Sequence, residues 1–589
     1  MQAASFNPIR KLNPPNSPPS SHWLSKLFPF LSWRQLLTRD ALRADTIAGI
    51  TVALLAIPQS LAYAQLAGLP AYYGLYAALI PAVVGVLFGS SAILSTGPVA
   101  MTSLLTAASI APLAMRGSEQ FVSFAILLAL LSGVFQIAFG LLRMGTLLNF
   151  LSYPVLMGFI NAAAIIIGLS QLPTILGISV SQSNHLLTDT WRVITNIDSL
   201  HEISLAFGLI ALLGLFAFRK YAPRLPGALI TVAVLTLASY FIGYEKMGGR
   251  VVGEIPAGLP SFATPPLDWH ATIELLPAAF VIALISFMEA MSSCKVIAIK
   301  TRTAWDENQE LIGQGLAKVA AAFSQSMPVS GSFSRSALNL SANAKTGVSS
   351  LVAAAFVLLT LLFFTSLLHH LPKPVLAAII ITALLNLVDY KSIAKSWLAR
   401  RDDGVAAVIT FVTTLAFAPN IQVGILTGIM LSLALLLYRM MRPRVAVLGM
   451  HDDGTLRDAE YFQLAALHPK LGAIRFDGSL VFVNVAYFEE AILKIERRNP
   501  DLKCILVVGN GINDLDTSGV EMISNLVERL RASGITLAFC GMKRQVLEVM
   551  ERTELPRRIG RENIFPTDRL ALDTLRATLD NQSMKGPLS

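Results

Sequence analysis

Three side chains stand out because their chemistry does not suit their surroundings. Gln59, Glu289 and Arg335 each sit within or at the edge of a long apolar stretch. A charge at membrane depth costs a few kcal/mol and is expected to face a cavity or a partner. Arg335 would attract an anion there; the alternative is a structural ion pair with a carboxylate on a neighbouring helix. Glu289, in Ile285–Met291, could take up and release a proton, as cation coupling requires. It could instead be paired permanently with Arg335 or with a helix-end amide.

Two interrupted segments must position these groups. The first is Ser95-Thr96-Gly97-Pro98-Val99-Ala100-Met101-Thr102-Ser103, and the second runs from Met327 through Pro328-Val329-Ser330-Gly331-Ser332-Phe333-Ser334-Arg335 to Ser336. Each breaks an apolar run with Gly, Pro and Ser. The expectation is extended peptide followed by a helix that starts in mid-membrane, with proline at its first position. Such a start offers free N–H groups and the positive end of a dipole, which hold anions. Pro98-Val99 and Pro328-Val329 are offset by 328 − 98 = 230 residues, and Gln59 and Glu289 by 289 − 59 = 230. One shift for two features predicts an internal repeat, and paired interruptions of this kind point to a transporter site. Thr102 and Ser103 have a plainer role available, satisfying backbone groups freed by the break.

Composition sets the class. The chain has 589 residues, 54% hydrophobic and 14% charged, with mean hydropathy +0.60. Soluble proteins carry about 25% charged residues, so a polytopic membrane protein with a soluble part is expected. The net charge of +9 is accounted for by positive cytoplasmic loops and does not call for nucleic acid. Cys294, Cys504 and Cys540 lie far apart, which argues against a disulfide framework and metal-ligand spacing. No nucleotide-binding loop or catalytic triad is visible, so neither an enzyme nor a cofactor is expected.

Residues 1–40 read as a polar cytoplasmic arm, with Pro14, Pro15, Pro18 and Pro19 and some order around Trp23–Leu37, and not as a signal peptide. Fourteen apolar spans follow, at 45–66, 72–90, 97–113, 120–141, 149–169, 203–219, 226–244, 274–294, 309–325, 332–344, 347–369, 373–389, 403–418 and 421–440. They group into a transport region, 41–440, with repeats at about 41–245 and 270–440. With the N-terminus inside, the inner loops carry Arg143; Arg219, Lys220 and Arg224; Lys295, Lys300 and Arg302; Lys391, Lys395, Arg400 and Arg401; and Arg439, Arg442 and Arg444. The outer loops carry fewer basic residues, so both termini are expected in the cytoplasm. Residues 445–580 read as soluble α/β, with strands at Leu471–Phe476, Leu480–Asn484, Cys504–Val508 and Ile535–Cys540. Helices are expected at Phe488–Arg498, Gly519–Ala532 and Lys543–Thr553, followed by a short tail, 581–589.

The run Ala44–Thr51, then Ala56-Ile57-Pro58-Gln59-Ser60-Leu61-Ala62-Tyr63-Ala64, Leu69-Pro70 and Gly74-Leu75-Tyr76, resembles the sulfate-permease (SulP) family. Plant sulfate transporters, cyanobacterial bicarbonate transporters and the anion exchangers related to prestin belong to it. The two interrupted segments resemble its half-helix signatures, and the soluble tail resembles its STAS module. The resemblance implies a seven-plus-seven inverted repeat, a core domain moving against a gate domain, and an anion between the third and tenth helices. On this reading Gln59 is a polar substrate contact and Tyr63 an aromatic wall, though Tyr63 could equally be packing. Val99 and Ala100 mark the first half-helix start, and Ser332, Phe333, Ser334 and Arg335 the second. Glu289 would couple transport to a cation. Ser293, one turn on, would join it around sodium as in the bicarbonate transporters, or simply line a helix interface. Asn513–Gly519 resembles the STAS loop whose hydroxyl can be phosphorylated, which would make Thr517 the acceptor. Plain helix capping by Asp516 or Thr517 competes with that reading.

The function this implies is secondary active transport of an inorganic oxyanion, foremost sulfate with H⁺. Alternatives are Na⁺-coupled bicarbonate transport, and exchange or channel activity for chloride, nitrate or dicarboxylates. A membrane receptor acting through its STAS tail is a further class. The expected partners are the anion, the coupled ion, the bilayer of a plasma or inner membrane, and a second copy in a homodimer. Phe482–Glu490 and Met522–Val527 are candidate dimer surfaces.

Overall fold

The computed structural model describes residues 28–145, 152–178, 186–222, 225–303, 305–385, 388–418 and 420–584. Arg224, the N-terminal prolines and Trp23 lie outside the described residues. The chain divides into two compact units, Met1–Ser432 and Leu433–Ser589, and each is described by itself.

A helix falls on every expected span, the last of them running from the first unit into the second. These are α1 (Arg39–Leu66), α2 (Tyr72–Phe88), α3 (Ala100–Ile110), α4 (Glu119–Leu141), α5 (Tyr153–Leu176), α6 (Glu202–Tyr221), α7 (Gly227–Ile242), α8 (Trp269–Thr301), α9 (Glu307–Phe323), α10 (Phe333–Ser341), α11 (Val348–Phe363), α12 (Lys373–Leu384), α13 (Arg401–Ala416) and α14 (Gln422–Met441). Six are long and apolar enough to cross a membrane by length and composition. By contrast, α3 has 11 residues and α10 only 9. At about 1.5 Å per residue they reach roughly half of the ~30 Å hydrocarbon layer. An amphipathic helix not expected from the sequence, Tyr390–Ala399, precedes α13.

The helices pack in two groups. One joins α1–α4 to α8–α11, chiefly through α4 against α9, α1 against α11, and α2 against α9. The other joins α5–α7 to α12 and α13, chiefly through α5 against α13 and α6 against α12, and Gly428 of α14 lies against Val155 of α5 and Thr410 of α13. Small residues set the separations, as is usual where lipid-like apolarity gives helices no other reason to associate. A Cβ on Gly133 of α4 would come within 2.8 Å of the Gly315 carbonyl of α9, and one on Gly74 within 1.8 Å of the Ser60 carbonyl of α1.

The 230-residue shift holds only in part. Helices α1 and α8 start 269 − 39 = 230 residues apart, so Gln59 and Glu289 stand at equivalent depths. At the breaks the spacing widens. Strands β1 (Thr96–Gly97) and β2 (Ser330–Gly331) start 330 − 96 = 234 apart, and α3 and α10 start 333 − 100 = 233 apart. Pro98 therefore follows its strand while Pro328 precedes its own, and neither occupies the first helical position. Both sit in extended peptide, where a missing N–H costs nothing.

The second unit is a six-stranded sheet in the order β4-β3-β5-β6-β7-β8. Its strands are β3 (Arg444–Met450), β4 (Leu456–Asp458), β5 (Leu471–Asp477), β6 (Cys504–Val508), β7 (Thr536–Cys540) and β8 (Ile564–Phe565). β5 to β8 run parallel, and β3 is antiparallel to both neighbours. Strand alternation sends Ile505, Val507, Leu537 and Phe539 to one face and Cys504, Leu506, Ala538 and Cys540 to the other. Helices α15 (Val485–Arg498), α16 (Thr517–Ala532) and α17 (Arg544–Arg552) cover the first face, and α18 (Asp568–Met584) the second. The strand expected at Leu480–Asn484 is not formed. Asn484 Oδ1 accepts the Val481 N–H at 3.1 Å and its amide donates to the Ser479 carbonyl at 2.9 Å, closing a turn instead. α18 was not expected, and it runs past residue 580 into the anticipated tail.

The Gly74 contact gives the first prediction. Gly74→Ala drives a methyl into backbone that cannot move independently of Gln59's helix. A loss of about 1–3 kcal/mol is expected, read as a lower melting temperature of the purified protein. An unchanged melting curve would refute the α1–α2 packing described here.

Candidate functional site

The two interrupted segments meet. β1 and β2 pair antiparallel, Thr96 opposite Gly331 and Gly97 opposite Ser330, and Ser332 donates its N–H to the Ser95 carbonyl at 2.8 Å. Two chain breaks thus satisfy much of each other's backbone, which is how non-helical peptide survives at membrane depth. Helices α3 and α10 start immediately afterwards. Val99 caps α3 without a side-chain bond, leaving its first-turn amides uncapped. At α10, Ser332 Oγ accepts the Arg335 N–H at 3.4 Å and lies 3.3 Å from Ser334 Oγ.

Arg335 is buried and reaches across the pair. Its Nη1 donates to the Pro98 carbonyl at 2.9 Å and its Nε to Ser95 Oγ at 3.4 Å. A Cβ on Gly97 would come 3.0 Å from Nη2, so the guanidinium would have to give by a few tenths of an ångström to admit one. Nη2 itself is buried without a hydrogen-bond partner, and so are Glu289 Oε2 and Gln59 Oε1. Arg335, Glu289 and the buried phenol of Tyr63 lie within electrostatic reach of one another. Arg335 and Glu289 are not joined as an ion pair, and Ser330, whose hydroxyl donates to the Ser286 carbonyl at 2.7 Å, stands beside the Glu289 carboxylate.

Gln59, Tyr63, Val99, Ala100, Ser332, Glu289 and Arg335 are thus brought to the crossing or to the helices that flank it. Phe333 and Ser334, at the start of α10, are exposed. The Ser293 hydroxyl donates to the Glu289 backbone carbonyl at 3.1 Å, as a helix-interior Ser does, and its oxygen keeps its lone pairs. Thr102 Oγ1 likewise bonds the Val99 carbonyl at 3.2 Å. In the second unit Thr517 is the exposed first residue of α16. Asp516 caps that helix, accepting the Gly519 N–H and the Phe482 N–H at 2.8 Å each. Glu489 and Glu521 line the same cleft as Thr517, and their charge opposes a phosphate there.

Three buried charges escaped notice in the sequence. Lys318 on α9 is fully buried, and its Nζ donates to Gln136 Oε1 at 2.6 Å and Ser286 Oγ at 2.8 Å. It also acts electrostatically on Glu289. Glu310 accepts the N–H groups of Ser90 and Ser91 at 2.9 Å each and the Gln314 amide at 3.0 Å. Gln314 also donates to Thr96 Oγ1 at 2.8 Å, tying α9 to β1. Asp45 accepts from the backbone of Lys345 and Thr346 at 2.6 and 3.1 Å. A single Lys between Gly315 and Ala322 was the available signal for the first of these.

The Lys318 cluster yields a double-mutant test. Gln136→Leu strips the ammonium of its shortest acceptor, and about 1–3 kcal/mol of stability should be lost. Adding Lys318→Met makes both positions apolar and should recover part of that loss. Strictly additive losses in thermal unfolding would contradict the pairing.

Comparison with known proteins identifies the family and the fold. The model of the sulfate permease family matches residues 42–410 and that of the STAS domain residues 465–571. The probable sulfate transporter 4.2 of Arabidopsis thaliana is 34% identical, over 92% of this chain and 82% of its own. A probable sulfate transporter of Mycobacterium tuberculosis is 31% identical, over 95% and 99%. The murine solute carrier 26 family member A9 anion transporter, solved in the inward-facing state, shares the fold with a TM-score of 0.88 at 21% identity, covering 96% of this chain and 97% of that one. The transmembrane domain of the cyanobacterial bicarbonate transporter BicA aligns with a TM-score of 0.57 at 24% identity, over 67% and 98%. The chain belongs to the sulfate permease family, as a multi-pass membrane anion transporter with a C-terminal STAS domain.

Proposed function

We propose that the protein is a secondary active transporter of sulfate driven by co-transported H⁺. It would act by alternating access between the two helix groups, in a plasma or inner membrane, with both termini cytoplasmic and as a homodimer. The anion would sit between the N-termini of α3 and α10, against Arg335, Ser332, Ser334 and Phe333 on one side and Gln59 and Tyr63 on the other, with Val99 and Ala100 presenting backbone. Sulfate is favoured over other oxyanions by relatives in plants and mycobacteria that are named sulfate transporters.

The observation that carries the coupling reading is that Glu289 Oε2 and Arg335 Nη2 are buried, close, and each without a partner. A purely structural pair would bond to one another. Ionised Glu289 repels an incoming dianion; a protonated carboxyl becomes a donor to it.

Two variants separate binding from coupling. Arg335→Ala removes the cation from the crossing and should weaken sulfate binding about 10–100-fold with normal membrane expression. Unchanged affinity would remove Arg335 from the site. Glu289→Gln resembles the protonated acid in shape, so it should still exchange sulfate in counterflow while failing to accumulate it under an inward-directed proton gradient. Accumulation by that variant would rule out Glu289 as the coupling residue. Uptake that follows sodium and ignores pH would overturn the proton itself.

A further inference from the structure

The segment after α7 and the segment between α11 and α12 run side by side. Val252 donates to the Leu371 carbonyl at 2.9 Å, Gly253 to the His369 carbonyl at 3.1 Å, and Lys373 to the Arg250 carbonyl at 2.9 Å. This pairing sets Glu245 beside His369 and His370. One ligand-type atom from each of the three lies within 4.8 Å of the other two, and His369 Nε2 is 3.4 Å from Glu245 Oε2. The two imidazoles belong to consecutive residues, which in a strand would face opposite ways. Here His370 closes the short helix Thr365–His369 with φ −81° and ψ 5°, so both rings reach the same side, their centroids 4.8 Å apart.

We propose that Glu245, His369 and His370 form a transition-metal site that takes zinc. Zinc bonds nitrogen and oxygen at about 2.0–2.2 Å in a tetrahedron, which separates its ligand atoms by about 3.3–3.6 Å. One pair already has that spacing, and the others need side-chain rotation only, since Glu245 is exposed and the histidines are partly so. Two imidazoles and a carboxylate suit zinc better than magnesium or calcium, which prefer oxygen alone. Water would fill the fourth position. Lys246, Arg250 and Lys373 stand in the same two segments, and their charge opposes a dication, so micromolar affinity is expected.

An ion held there clamps the end of α7 to the α11–α12 connection, which links the two helix groups. Its effect on turnover rests on the proposed alternating motion; binding does not. The test is cobalt(II) titration of the full-length protein in nanodiscs, followed by visible absorption. One equivalent should give the band of a four-coordinate nitrogen–oxygen site, absent from His369→Ala and from His370→Gln, and at least tenfold weaker in Glu245→Gln. No band, or the same titration in all three variants with normal size-exclusion profiles, would overturn the site. Zinc should slow sulfate uptake by the native protein and not by His370→Gln. Equal inhibition of both would refute the clamp and leave the transport reading untouched.

Discussion

Two residues of each half, Thr96–Gly97 and Ser330–Gly331, pair as strands, and the geometry of the first unit depends on that pairing. Pairing lets two segments leave the helix at membrane depth without stranding their backbone polar groups. The second half does most of the holding. Ser336 accepts the Ser95 N–H at 2.9 Å, Asn339 donates to the Ile93 carbonyl at 3.0 Å, and Arg335 donates to the Pro98 carbonyl at 2.9 Å. Glu310 and Gln314 fix residues 90–96 from the other side. The first break is therefore a segment of one repeat shaped by side chains of the other.

The buried charges divide by how fully they are used. Glu310 is spent on two backbone amides and a side-chain amide, and Lys318 on two neutral acceptors. Both read as framework. Arg335 and Glu289 each keep one polar atom without a partner. In a low-dielectric interior such atoms are costly, and natural proteins retain them where a ligand or a proton completes the set. The proposed working roles of Arg335 and Glu289, against the supporting ones of Glu310 and Lys318, rest on that asymmetry.

Much of this is legible in the sequence. Gln59, Glu289 and Arg335 stand out because a polar side chain inside an apolar run is expensive, and the breaks at 95–103 and 327–336 because Gly and Pro punctuate helices whatever the fold. What tertiary packing alone decides was not legible. Lys318 has its acceptor Gln136 on α4, 182 positions earlier, and no local spacing announces that contact. Ser293 shares a face with Glu289, as helical periodicity says, yet spends its hydroxyl on its own backbone. The Pro-Val dipeptides suggested a single shift for the whole repeat, whereas the halves drift by 3 to 4 residues between α1 and α3. Glu245 lies 124 residues from His369, since 369 − 245 = 124, so the third metal ligand could not be read from spacing either.

The central claim is that the anion and a proton share one buried site. Isothermal titration of sulfate into the purified protein, repeated in buffers of different ionisation enthalpy, counts protons exchanged on binding without any transport assay. Net uptake of a proton with each sulfate is expected near neutral pH, with affinity rising as pH falls toward that range. Binding enthalpies that are independent of the buffer, with affinity flat across pH, would contradict it.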